Sequence, residues 1–342
     1  MANNLLKNGK IIYPNKLFLK KNFNIGLIGS GKIAEEYARV ISSFGHKIKV
    51  IISQSKNNNA KKLAKKYKSN IYSNIKQVQI NDINAWIVCV EWSKLDIYIN
   101  FFLKTKTPVL IEKGAPISSL KILNYIKKYK KNSNLSFAYN RNYFDYIPYL
   151  LNTLNKNKIN YIEMKIYDLI NDIIKKKGSR ITKYLKYYIT SHWISLIYKL
   201  ISLSNYKFSK IKKEKLTNYK KFNIEKISII LKKGTNKLLL NIINFPNGLK
   251  NHTCKFYFNK FLIELSPFER ILLYKSIKKK KFNNNFLYIP QIDKLEVSKK
   301  YKPGFRFMYY DFIKNIYSKE RFSLGIKLKD LYKIYRICEK FS

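Results

Sequence analysis

The segment Gly26-Leu-Ile-Gly29-Ser-Gly31-Lys-Ile-Ala34 narrows the possible folds further than any other stretch of the chain. It joins a short apolar run, Asn24 to Ile28, to a helical repeat in which Ile33, Ala34, Tyr37, Ala38 and Ile41 recur up to Phe44. Gly29 permits a tight turn between strand and helix. Gly31 has no side chain, so the backbone there can approach a pyrophosphate, and Ala34 lets the helix pack closely on the strand. The helix N-terminus then offers free N–H groups and the positive end of its dipole. Three of the eleven glycines fall within these six residues, 26–31, where random placement would put about 0.2. The pattern points to a dinucleotide-binding unit rather than a ligand-free glycine turn.

The following residues extend that unit. Ile48 to Ile52, Ala85 to Val90 and Pro108 to Ile111 read as buried strands; residues 59–67 and Leu95 to Leu103 read as helices. Strands alternating with helices imply a parallel, doubly wound sheet. After about residue 140 the texture changes. Tyr161–Tyr167, Ile227–Leu231, Leu238–Ile243, Cys254–Phe258, Phe261–Leu265 and Ile271–Tyr274 read as strands, with turns at Lys-Gly 233–234 and Asn-Gly 247–248. Such a series predicts a large, mostly antiparallel open sheet in an α+β domain. Trp193–Leu203, Phe305–Ile316 and Leu328–Phe341 read as helices, the last with Leu331, Ile334, Tyr335 and Cys338 on one face. The expected organisation is an extension at 1–21, a nucleotide-binding domain at 22–140 and a second domain at 141–342, whose last helices can pack back on the first.

Charge needs a separate account, because a formal net charge of +49 invites a nucleic-acid reading. The basic set is 62 Lys and only 7 Arg, with 37 Asn against 8 Ala. That bias follows A/T-rich codons and marks an A/T-rich genome. Proteins that read phosphates and base edges lean on the bidentate fork of Arg. Nucleic acid is therefore not an expected partner, and the Lys/Asn tracts at 56–69, 126–134 and 277–285 read as solvated faces or loops. A chain that is 46% hydrophobic can build a sizeable core. Its apolar runs stop well short of 18 residues, so no membrane span is expected. Met1 to Lys21 makes a poor signal peptide, and Cys89, Cys254 and Cys338 lack paired spacing. These features exclude a disulfide framework and a zinc knuckle and fit a reducing cytoplasm.

Three further motifs carry chemistry. The second strand ends in Ser53-Gln54-Ser55-Lys56 without a carboxylate. An acidic residue there would hold the adenosine ribose of NAD. Two hydroxyls and a cation suit a 2′-phosphate, which favours NADP over NAD, unless Lys56 only begins a Lys-rich helix. Val109-Leu-Ile-Glu112-Lys113-Gly114 closes a strand, so Glu112 and Lys113 point at the ligand cleft. Lys113 could stabilise developing charge on a reacting hydroxyl. In so Lys-rich a chain it says little alone, and Glu112 counts for more. Only three histidines exist. His46 and His252 read as structural, whereas His192 enters a helix beside the cleft and suits a general acid/base.

In order and spacing these motifs resemble the Gfo/Idh/MocA oxidoreductases, the family of glucose-fructose oxidoreductase and inositol 2-dehydrogenase. The resemblance covers about residues 22–342. It rests on GLIGSGKIA at 26–34, IISQS at 51–55, NAWIVCV at 84–90, VLIEKG at 109–114, FAYNRNYF at 137–144, TSHWISL at 190–196 and YKPGFRFMYYDFI at 301–313. It implies an α/β fold, a Rossmann domain followed by a domain whose open sheet forms homo-oligomer contacts on one face and the substrate cleft on the other. It implies that Gly29, Ser30, Gly31, Lys32 and Ile33 wrap the pyrophosphate and that Ser53, Gln54 and Ser55 meet the ribose. Val90, Glu91 and Trp92 would pass beneath the nicotinamide side, with Glu112, Lys113, Asn140 and Arg141 completing the NAD(P) site. Lys113, Tyr139, Arg141 and His192 would meet a sugar or sugar-nucleotide substrate. His192 would exchange the hydroxyl proton and Lys113 would polarise its oxygen.

The departures concern the same site. Gly114 stands where the family has Pro, which loosens a usually stiff turn, and Val90-Glu91 stand for Thr-Pro. Tyr188, four residues before His192, and Ser195, three after it, replace carboxylates. Tyr188 would join Lys113 and His192 in the catalytic set as an uncharged hydrogen-bond donor. An NAD(P)-dependent dehydrogenase or reductase is the leading expectation. Redox-assisted elimination or glycoside cleavage and a non-catalytic dinucleotide-binding scaffold are the alternatives.

Overall fold

The computed structural model describes residues 6–7, 10–11, 22–54, 57–129, 134–168, 170–203, 205, 207–219, 222–246, 252–283, 285–298, 300–317 and 324–340. Ser55, Lys56, the Asn-Gly pair at 247–248 and most of the 1–21 extension lie outside these residues, the extension contributing only the short pair β1 (Leu6–Lys7) and β2 (Lys10–Ile11).

Six parallel strands form the first sheet: β3 (Asn24–Ile28), β4 (Lys47–Ile52), β5 (Asn70–Tyr72), β6 (Ala85–Val88), β7 (Val109–Glu112) and β8 (Leu135–Ala138). Their spatial order is β5-β4-β3-β6-β7-β8, reversing direction at β3. That is the topology expected of a doubly wound dinucleotide fold. Helices α1 (Lys32–Ser43), α2 (Asn58–Tyr67), α3 (Leu95–Leu103) and α4 (Ser119–Lys128) connect the strands. Apolar residues fill β3, β6 and β7 because both faces of the sheet are covered. Gly26 has a packing role within this core. A side chain there would stand 2.3 Å from the Trp86 ring on the neighbouring strand.

The chain continues through α5 (Ile147–Lys156), β9 (Ile159–Asp168), α6 (Ile170–Lys177) and α7 (Ser191–Leu203). A second sheet follows, with β10 (Lys207–Tyr219), β11 (Phe222–Lys233), β12 (Asn236–Pro246), β13 (Thr253–Phe258), β14 (Leu262–Leu265), β15 (Arg270–Phe282) and β16 (Asn285–Glu296). Its order is β10-β11-β12-β9-β13-β14-β15-β16, and only the β12–β9 pair is parallel. The sequence reading had no strand at β10 or β16. Both lie at edges, and β16 is exposed along most of its length, so neither shows the alternation that marks a half-buried strand. The tract at 277–281 is the exposed end of β15, a solvated face.

The two closing helices return to the first sheet. On α8 (Phe305–Tyr317), Phe305 lies 4.8 Å from the Tyr37 ring of α1, and the Tyr309 hydroxyl meets buried His46 Nδ1 at 2.5 Å. Before α9 (Leu328–Cys338), Ile326 accepts from the Phe137 N–H at 2.8 Å on the edge of β8. The Glu339 carboxylate accepts from the Ser119 N–H and hydroxyl at the start of α4, and from the Tyr187 hydroxyl. The three cysteines are buried and none forms a disulfide. Among the described residues no helix is long and apolar enough to cross a membrane.

Candidate functional site

A cavity of about 1170 Å³ opens beyond the carboxyl ends of β3, β4, β6 and β7 and runs to α7. At one end it is lined by Gly29, Ser30, Gly31, Lys32 and Ile33. Gly29 adopts φ +114°, and a side chain there would meet the Cys89 carbonyl oxygen at 2.6 Å. Gly31 is different. It is the N-cap of α1, no side chain caps the helix, and a Cβ on it would meet nothing within 4 Å. Uncapped N–H groups therefore face open space, which suits the pyrophosphate of a dinucleotide. Ser53 and Gln54 line the same end; the Ser53 hydroxyl is 3.2 Å from that of Ser30, and Gln54 accepts from Lys94 Nζ at 2.7 Å. Val90, Glu91 and Trp92 form the adjoining wall.

At the other end Glu112, Lys113, Asn140, Arg141, Tyr188 and His192 come together. Tyr37 donates its hydroxyl to Glu112 at 2.8 Å. Burial raises the Glu112 pKa, while Lys113 and that hydrogen bond oppose the rise. Lys113 is pushed down to about 8, chiefly by burial, with Arg141 and Lys302 adding repulsion and Glu112 opposing them. Its ammonium donates to the Tyr188 carbonyl at 3.3 Å and lies 4.6 Å from the Tyr188 ring centroid. That carbonyl belongs to a π-helical turn, Lys186–Thr190, which leads directly into α7. Widened turns of this kind place backbone groups where a regular helix would not.

Three expectations need correction. Tyr139, expected to meet substrate, is fully buried, with its hydroxyl 3.1 Å from that of Ser191 and its ring 5.8 Å from His192. It directly follows the fully buried β8, leads into the 3-10 turn Asn140–Tyr143, and packs beside the histidine in the core. Tyr188, expected as a hydrogen-bond donor in the catalytic set, gives no hydrogen bond to His192 Nδ1, which is buried without a partner. Nor does Gly114 loosen its turn. It adopts φ +87°, which proline cannot, and a side chain there would meet Tyr188 Cδ2 at 2.8 Å. Two of the departures from the family pattern thus touch each other. Ser195, another, is buried and donates to the His192 carbonyl.

Residues 23–138 match the profile of the GFO_IDH_MocA domain, described as "Oxidoreductase family, NAD-binding Rossmann fold". That match covers the first sheet and its helices, about a third of the chain. No curated protein sequence matches this chain. Solved structures resemble it over nearly the whole chain at low identity, which speaks for the fold. A levoglucosan dehydrogenase in complex with NADH and levoglucosan aligns at TM-score 0.70 and 12% identity, over 94% of this chain and 96% of the other. A myo-inositol dehydrogenase from Corynebacterium glutamicum aligns at 0.68 and 14%, over 93% and 95%. A UDP-N-acetylglucosamine 3-dehydrogenase from Acidithiobacillus ferrooxidans aligns at 0.67 and 10%, over 94% and 96%.

The structure adds residues that the sequence reading had not singled out. Glu269, Lys302 and Trp193 also line the cavity. So does His252, which had read as purely structural. Its Nδ1 accepts from the Tyr167 N–H at 3.1 Å, and burial, with Arg141 adding to it, holds its pKa down to about 4. Rarity was the one available signal, since His252 is one of three histidines.

Proposed function

We propose that the protein is an NAD(P)-dependent dehydrogenase or reductase acting on a carbinol or carbonyl carbon of a sugar or sugar nucleotide. The observation that carries this reading is that Lys113 and His192 share one cavity with the uncapped N-terminus of α1. The family match and the sugar and sugar-nucleotide dehydrogenases among the structural neighbours agree with it. When bound, the nicotinamide cofactor supplies the hydride acceptor or donor. Gly29 to Ile33 hold the pyrophosphate, Ser53, Gln54 and Ser55 meet the ribose, and Val90, Glu91, Trp92, Asn140 and Arg141 frame the nicotinamide. The absence of a carboxylate at Ser53-Gln54 favours NADP. His192 exchanges the substrate hydroxyl proton, and the Lys113 ammonium donates to that oxygen and stabilises its developing charge. The second sheet serves as the contact between copies in a homo-oligomer.

Fluorescence titration with NADPH and NADH tests the cofactor site; binding of neither rejects it. Absorbance at the nicotinamide band with sugars and sugar nucleotides tests the chemistry. His192→Ala and Lys113→Ala should abolish turnover and leave cofactor affinity within about threefold; unchanged turnover in both rejects the assigned roles. A scaffold without turnover is the second reading, favoured by the unpartnered His192 Nδ1.

A further inference from the structure

The end of the cavity beside His192 carries cations that the protein leaves without hydrogen-bond partners. Arg141 lies in the 3-10 turn Asn140–Tyr143, and Lys302 precedes α8. One backbone contact holds them as neighbours. Asn140 Nδ2 donates to the Pro303 carbonyl at 2.8 Å, and a side chain on Gly304 would stand 2.0 Å from the Asn140 carbonyl oxygen. The two cations flank this lock, and both line the cavity.

The Arg141 guanidinium carbon lies 3.5 Å from the centroid of the Trp193 ring, and Nε is buried without a partner. The Lys302 ammonium lies 4.7 Å from the Phe305 ring centroid. Among the described residues neither side chain makes a hydrogen bond or an ion pair. Stacking fixes the plane of a guanidinium and leaves its fork of donors free. Of the nearby carboxylates, Glu112 is engaged by Tyr37 and Glu36 by Arg39, both reaching Lys302 only through their field, and Glu269 acts on Arg141 only through its field. Partly buried charges without partners are costly, and an oxyanion between them would satisfy both.

On the dehydrogenase reading above, we propose that the substrate carries an oxyanionic group, a carboxylate or a phosphate, bound by Arg141 and Lys302. Such a group would anchor the sugar at the His192 end, away from the glycine cradle that suits the pyrophosphate.

The test titrates the full-length protein with acetate and with inorganic phosphate at constant ionic strength, with and without saturating NADPH. Tryptophan fluorescence and the thermal midpoint are the readouts. A saturable response to at least one oxyanion is expected. Its apparent Kd should weaken at least about tenfold in Arg141→Met and in Lys302→Met, recover in part in Arg141→Lys, and stay unchanged in Lys279→Met on the remote β15–β16 hairpin. Lys302→Met keeps the test sharp if Arg141→Met does not fold. A response to acetate alone supports a sugar acid, and one to phosphate alone supports a phosphorylated or nucleotide-linked sugar. No saturable response, or one that survives both variants, overturns the proposal. So does a response that NADPH competes away, because the anion then occupies the cofactor cradle. If neither NADPH nor NADH binds while the anion response persists, the dehydrogenase reading falls and the oxyanion site stands.

Discussion

Replacing Gly31 by alanine should separate ligand binding from folding at the cofactor cradle, with Gly29→Ala as its opposite. Gly31 has φ −81°, ordinary for any residue, and an added Cβ meets nothing within 4 Å. The substitution gives up roughly 0.5 kcal/mol or more at an N-cap, where glycine is preferred to alanine. It regains about 0.4–1 kcal/mol by restricting the unfolded chain. Stability should therefore change by less than about 1 kcal/mol. The new methyl projects into the space assigned to the pyrophosphate, so NADPH and NADH affinity should fall at least about tenfold, roughly 1.4 kcal/mol. Gly29→Ala meets the opposite situation. Its φ of +114° is disfavoured for an L side chain, and the Cβ would press on the Cys89 carbonyl oxygen at 2.6 Å. Strain and overpacking together should cost about 3 kcal/mol or more. Thermal unfolding and cofactor fluorescence titration on both variants make the comparison. A Gly31→Ala protein that unfolds like the parent and binds cofactor within twofold of it would refute the assignment of the cradle.

Two further outcomes depend on titration. If the Lys113 ammonium stabilises the developing oxyanion, the rate of carbonyl reduction should fall as pH rises through about 8, where that ammonium loses its proton; Lys113→Arg should remove this limb of the pH–rate profile, and a limb that persists argues against the role. Burial raises Asp145 to about 6 from a usual 3.8, even though it accepts from the Ser298 N–H at 2.7 Å. The folded chain thus holds this proton more tightly than the unfolded one, so stability declines as pH rises between these values and stays lower above them. Asp145→Asn can still accept that hydrogen bond and should stabilise the protein at pH 7.5 by about 1–2 kcal/mol after screening, read as a higher thermal midpoint, with little effect near pH 4. A lower midpoint at pH 7.5 would contradict this.

The first domain was more legible than the second, for a physical reason. Its strands are covered on both faces, so Asn24–Ile28 and Ala85–Val88 stand out as apolar runs, and the glycine turn punctuates them. In the second sheet, half-buried strands such as Thr253–Phe258 alternate and were legible too. The edge strands β10 and β16 owe their form to pairing with β11 and β15, and their own side chains carry no burial pattern that would show it. Most of the residues expected at the candidate site line the cavity, because motifs at strand ends and helix starts have nowhere else to point in an open α/β sheet. Tyr139 is the exception: it follows a strand buried on both faces and is buried with it.

The sequence by itself pointed to the glycine turn, the parallel first sheet and the candidate His192. Each follows from local chemistry: a turn that only glycine permits, a period of burial, a scarce residue type at a helix start. Only the tertiary structure decided that Tyr188 rests against Gly114 and holds Lys113 through its carbonyl. The same holds for Lys302, brought beside Arg141 by the contact of Pro303 and Gly304 with Asn140. Some 160 residues separate these partners, and no local pattern encodes a contact that depends on how two sheets and a returning helix pack.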